Sequence, residues 1–143
     1  MNSILGLDIG DRRIGIAVSS SGIFASGLET YTRVTLNKDA QYIADVAKKW
    51  SACVIVAGLP QHLDGTEHEQ ATKNETLLEQ LRLLGFEIKY FDERLTSSAA
   101  ENYMLAADLS RKKRKENIDK LAAQIILQNY LDAQNNGGFY NGK

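Results

Sequence analysis

The chain has 143 residues, 43% hydrophobic and 24% charged, with 17 Lys and Arg against 18 Asp and Glu. That length can bury a real core in one domain, and the composition is that of an ordinary globular protein, which excludes the disordered and fibrous classes. A net charge of −1 excludes a chain that is basic throughout, and no apolar run approaches the ~20 residues of a membrane span.

In chain order, strands are expected near 3–8, 13–19, 24–32, 52–57 and 86–91, and helices near 38–50, 67–84, 96–107 and 116–133. The first two strands read as a hairpin turned at Gly10-Asp11. Val54-Ile55-Val56-Ala57 is apolar on both faces, as a central strand should be. Three strands followed by helix-strand-helix-strand-helix indicate an α/β domain with a mixed sheet. There is no internal repeat and no linker. A single domain is expected over 1–134, with 135–143 as a flexible tail opened by Asn135-Asn136-Gly137-Gly138. The start of the chain runs straight into a strand and lacks the basic-then-apolar form of a secretory signal. The one cysteine, Cys53, lies in the apolar run Ala52–Ala57 and is expected to be a buried structural thiol. A lone cysteine forms no intrachain disulfide and fits a reducing cytoplasm.

Three acidic positions carry the chemistry. Asp8 sits inside the apolar run Ile4-Leu5-Gly6-Leu7-Asp8-Ile9. An ionised carboxylate there is costly to bury without a positive partner. A metal ion would serve, and so would backbone hydrogen bonds in an Asp-x-Gly turn; both readings stand. Asp92-Glu93-Arg94 ends the fifth expected strand. Asp119 adjoins the stripe Ile118, Leu121, Ala122, Ile125 and Ile126, near the expected helix start, where the helix dipole favours a carboxylate. Brought together, these acids would make an oxygen-rich site for a hard cation such as Mg2+ or Mn2+.

Arg111-Lys112-Lys113-Arg114-Lys115 precedes Asp119, and Arg12, Arg13 and Arg94 adjoin the other acids. Such a run is either a solvated loop or a grip on a phosphate backbone. With an acidic whole, that grip would be local and salt-sensitive. Gly58-Leu59-Pro60 through Asp64-Gly65-Thr66 joins a strand to a helix, with Thr66 and Glu69 forming a capping box; the same loop could also contact substrate. His62 and His68 lack the neighbours of a zinc site. No dinucleotide or P-loop fingerprint is present.

Four blocks in order resemble the YqgF family, also called RuvX, described as Holliday junction resolvases and small members of the RNase H-like superfamily. They are Gly6-Leu7-Asp8-Ile9-Gly10 with Arg13-Ile14-Gly15-Ile16-Ala17-Val18-Ser19; Gly58-Leu59-Pro60 with Asp64-Gly65-Thr66; Asp92-Glu93-Arg94-Leu95-Thr96; and Asp119 with Ala122-Ala123 and Ile126 to Leu131. Two departures are visible: Ser20 stands where an acid often follows the first block, and Ala57 where valine often precedes Gly-Leu-Pro. The resemblance implies an RNase H-like fold, a mixed five-stranded sheet flanked by helices. It implies metal-assisted phosphodiester hydrolysis, with Asp8, Glu93 and Asp119 as catalytic metal ligands and Mg2+ or Mn2+ as cofactor. Arg12, Arg13, Arg94, Lys112, Lys113, Arg114 and Lys115 are then candidate nucleic-acid contacts, with Arg94 also able to brace Asp92. The family is linked to maturation of the 5′ end of small-subunit rRNA and to four-way DNA junctions, so precursor rRNA is the expected partner and a DNA junction the alternative. A non-catalytic RNA-binding factor is the alternative of another class. The first block also resembles the phosphate-binding turn of the actin, Hsp70 and sugar-kinase superfamily, but the chain is too short for the second lobe those proteins need. The residues say nuclease and do not choose RNA over DNA, nor monomer over dimer.

Overall fold

The computed structural model describes residues 3–59, 65–92 and 111–135, with positions 59, 65–73, 92 and 111–119 described by backbone alone. Five strands form one sheet: β1 (Ser3–Ile9), β2 (Arg13–Ser19), β3 (Ser26–Thr32), β4 (Ala52–Leu59) and β5 (Glu87–Asp92). The helices are α1 (Leu36–Lys49), α2 (Gly65–Leu83) and α3 (Arg111–Asn135). The sheet order is β3-β2-β1-β4-β5. β1 and β2, and β2 and β3, pair antiparallel, whereas β1 and β4, and β4 and β5, pair parallel. The mixed five-stranded α/β sheet is as expected. The helix expected at 96–107 lies outside the described residues.

The period-2 alternation of β1 divides the core into two layers. Leu5, Leu7 and Ile9 join Ile14, Ile16, Ile55 and Ala57 against Ile43, Ala47, Leu77 and Leu81 of α1 and α2. On the opposite face, Ala17, Val56 and Phe91 pack against Ala123, Ile126, Leu127 and Leu131 of α3. Glycine lets α3 come close: a Cβ on Gly6 would stand 2.7 Å from Leu127 Cβ. Amide side chains then fasten α3 to the sheet margin. Gln128 Oε1 accepts from Ala25 N at 2.9 Å, Gln124 Oε1 from Gly27 N at 3.2 Å, and Asn135 Nδ2 donates to the Gly22 carbonyl at 3.1 Å.

The structure corrects several sequence expectations. Cys53 is exposed, not buried. The β1–β4 register jumps from Ser3↔Ala52 to Ile4↔Val54, so Cys53 is an extra residue at a bulge. Ala52 takes the inward place and Cys53 is displaced from the core. β3 starts at Ser26, leaving Ile23 and Phe24 exposed before it. Thr66 falls inside α2, which starts at Gly65, so it is not the residue before the first turn. The basic run is helical backbone rather than loop, because α3 is described from Arg111. Asp119 consequently lies more than two turns along α3, beyond the reach of the dipole effect that operates within a first turn. The helix also runs on through Asn135, the first residue of the expected tail.

Candidate active site

Parallel pairing sets the C-terminal ends of β1, β4 and β5 on one edge of the sheet. Asp8 is there, half-buried, one residue before the end of β1. It shares the face of Gly6, which is the α3 face. Its cross-strand partner in β2 is Gly15, and the residue after Leu7's partner Ala57 in β4 is Gly58. Asp8 is thus flanked on both sides by residues with no side chain. β4 and β5 end together at Leu59↔Asp92. Glu93 is the next residue in the sequence, and both it and Arg94 lie outside the described residues.

α3 runs opposite to β1. It meets Gly27 at Lys120 and Gln124, and Gly6 at Ala123 and Leu127, while its far end reaches Gly22. The backbone of Asp119 is one helical turn before Ala123, toward the end of β1 that carries Asp8. Lys112, Lys113, Arg114 and Lys115 are on the opening turns of the same helix by backbone alone. Arg12 and Arg13 are exposed at the β1–β2 turn. Among the described residues no cluster of three His, Cys, Asp or Glu side chains forms a ready metal cage. The donor types nevertheless suit a hard cation: a carboxylate at a strand end, with glycines beside it leaving room for an ion and its waters.

A second polar group at this edge was not legible in the sequence. Asp39, in the first turn of α1, is only 1% exposed. Its Oδ1 accepts from Tyr31 Oη at 2.9 Å and from Val34 N at 2.8 Å, and its Oδ2 from Arg33 Nε at 3.0 Å. Arg33 reaches on: its Nη1 donates to the Gly10 carbonyl at 3.1 Å, and its backbone N to the Arg12 carbonyl at 2.9 Å. The Gly10 amide donates to the Arg13 carbonyl at 2.8 Å, closing the hairpin turn. From α2, Asn74 Nδ2 donates to the Ile9 carbonyl at 3.4 Å. Thr35 caps α1, its side chain accepting from Lys38 N. The signal for this group was the Thr35-x-x-x-Asp39 start of an amphipathic helix, which reads equally as a solvated first turn.

Burial and the Asp39 carboxylate push the Tyr31 hydroxyl up to about 12. Its stacked neighbour Tyr42, 4.2 Å away between ring centroids, is pushed up to about 12 by its hydrogen bond to Glu29 and by burial. An open cleft of about 590 Å³ lies beside the turn, lined by Asp11, Arg12, Thr32, Arg33, Thr35 and Thr76 among others.

A family model described as RuvX, Holliday junction resolvase, matches residues 2–133. A protein of Halalkalibacterium halodurans, by name a candidate pre-16S rRNA nuclease, is 48% identical over 134 residues, 91% of this chain and 96% of its own length. One of Clostridium novyi with the same name is 45% identical over 132 residues, 91% of this chain and 98% of its own. Among solved structures, Thermus thermophilus RuvC in complex with a Holliday junction substrate superposes with TM-score 0.62 at 12% identity, covering 96% of this chain and 97% of that one. The fowlpox virus Holliday junction resolvase does so with TM-score 0.56 at 8% identity, covering 92% and 99%. At such identities these two share the fold, which is RNase H-like.

Proposed function

The chain belongs to the RuvX family and is a nuclease, and from that premise we propose that it is a metal-dependent phosphodiester hydrolase that processes the 5′ end of precursor 16S rRNA in the cytoplasm. The observation that carries the proposal is Asp8, held at the C-terminal edge of the parallel strands between Gly15 and Gly58. Asp119 is one turn ahead of the Gly6 contact on the helix that covers this face, and Glu93 follows β5 directly. These three carboxylates would hold the ions. Mg2+ or Mn2+ bound there supplies charge for the phosphate and a water of lowered pKa.

The chain's own residues do the remaining work. Asp8, Glu93 and Asp119 neutralise the cation charge and leave coordination positions to water and phosphate. Arg12 and Arg13 at the hairpin turn, Arg94 after β5, and Lys112, Lys113, Arg114 and Lys115 at the opening of α3 grip the backbone on either side of the scissile phosphate. Phosphate contacts of this kind fix register without reading bases. RNA as substrate rests on the names of relatives that are 48% and 45% identical over nearly their whole length. The family description supports a second reading, resolution of four-way DNA junctions.

The test sets a precursor 16S rRNA fragment and a synthetic four-way DNA junction side by side, each with Mg2+, Mn2+ or chelator. Cleavage of the RNA at its 5′ flank, dependent on metal and lost in Asp8→Asn, Glu93→Gln and Asp119→Asn, is the expected result. Symmetric cutting of the junction with the RNA left intact would favour the second reading. Metal-independent activity, or near wild-type activity in any folded amide variant, would overturn the mechanism.

A further inference from the structure

The end of β1 is gripped from outside the sheet, on the face away from α3. Its last carbonyl and the next one, in the turn, accept from side chains of distant elements: Ile9 from Asn74 of α2, and Gly10 from Arg33 of the β3–α1 connection. Arg33 is itself fixed by the buried Asp39, which Tyr31 and the Val34 amide hold in turn. Asp8 is two residues from Gly10 on a strand that continues into this turn.

A buried ion pair is a poor way to gain stability, because desolvation offsets most of the attraction; its best-attested use is to select one conformation. This pair selects a place for one backbone carbonyl. A guanidinium suits the task because its nitrogens form a rigid fork. Nε serves Asp39 while Nη1 serves Gly10. The turn also has little slack, since a Cβ on Gly10 would stand 2.8 Å from the Arg13 carbonyl oxygen.

We propose that Arg33 and Asp39, with Asn74, are positioning residues that clamp the β1–β2 turn and so set where Asp8 presents its carboxylate to the cation. The proposal rests on the metal-dependent reading of the site. Groups hydrogen-bonded to a metal ligand set its placement, and losing one typically weakens metal binding by about 10–100-fold; the clamp acts on the same placement through the backbone one and two residues after Asp8.

Arg33→Lys separates clamp from scaffold. A lysine keeps a charge for Asp39 but has one compact ammonium in place of the two separated nitrogens of the fork, so it does not reproduce both bonds in their present geometry. Thr35→Ala is the comparison. It removes the side-chain cap of α1 and touches neither Gly10 nor Asp39's side-chain oxygens. Titration calorimetry with Mn2+ alone, thermal melts, and amide hydrogen exchange at Gly10 are read on both variants. The expected result is Mn2+ affinity reduced about tenfold or more in Arg33→Lys, with faster exchange at Gly10 and a cooperative melt. Thr35→Ala should melt lower with Mn2+ affinity and Gly10 exchange unchanged. Should Arg33→Lys bind Mn2+ as wild type does, or Thr35→Ala lose as much affinity, the clamp has no role in the site. Should wild type take up no Mn2+, the metal reading falls by itself. Gly10 exchange then decides the clamp: unchanged in Arg33→Lys, it overturns the hold on the turn as well.

Discussion

Asp8 is the residue on which the proposed chemistry depends, and its environment makes a thermal test sharp. In the proposed site the half-buried Asp8 carboxylate would be repelled by those of Glu93 and Asp119 where solvent screens poorly. Without metal, Asp8→Asn should therefore melt at or above wild type. Millimolar Mg2+ or Mn2+ binds the folded site and should raise the wild-type melting temperature by mass action, and that of the amide variant less. Melts of both proteins with and without metal check this; a wild type indifferent to metal would make Asp8 a turn residue. Tyr31 and Tyr42 give a pH test. Both hydroxyls are raised to about 12 from 10.0. The neutral phenols are favoured by folding, so their contribution is fully present below pH 10 and is lost as pH rises from 10 to 12. Alkaline unfolding should accelerate in that window. In Tyr31→Phe and Tyr42→Phe, stability should fall less steeply between pH 10 and 12 than in wild type, as denaturant titrations at stepped pH would show.

At the scale of elements, the seat of α3 on β1 is the joint that matters. Ala123 and Leu127 close onto Gly6, two residues from Asp8. Gly6→Ala would put a methyl 2.7 Å from Leu127 Cβ, in a packed layer that cannot yield freely. Overpacking of that kind costs about 1–3 kcal/mol. Lifting α3 would also move Asp119 relative to Asp8. The variant should lose stability in urea and lose cleavage beyond what its folded fraction explains. An unchanged urea midpoint for Gly6→Ala would show that the helix can shift without cost.

For the molecule as a whole, a net charge of −1 leaves no general attraction for nucleic acid, so the grip has to be local. Neutralising Lys112, Lys113 and Arg114 together should weaken substrate binding and lower its log–log salt slope by roughly 0.7–0.9 for each phosphate no longer neutralised; an unchanged slope would return the run to a solvated helix face. These basic residues oppose the dipole at the opening of α3, so the same variant should melt no lower than wild type. How much of this was legible in sequence follows from range. The strands, the hairpin at Gly10-Asp11 and the described helices were readable because period and turn chemistry are local, and the mixed character of the sheet followed from the order of elements. The carboxylate Asp8 stood out because no apolar strand holds one without a reason. The register slip that exposes Cys53, the place of Asp119 two turns into α3, and the bond from Arg33 to Gly10 across 23 positions were not readable. Each depends on which distant backbone meets which side chain, and only close packing of helices against the sheet decides that.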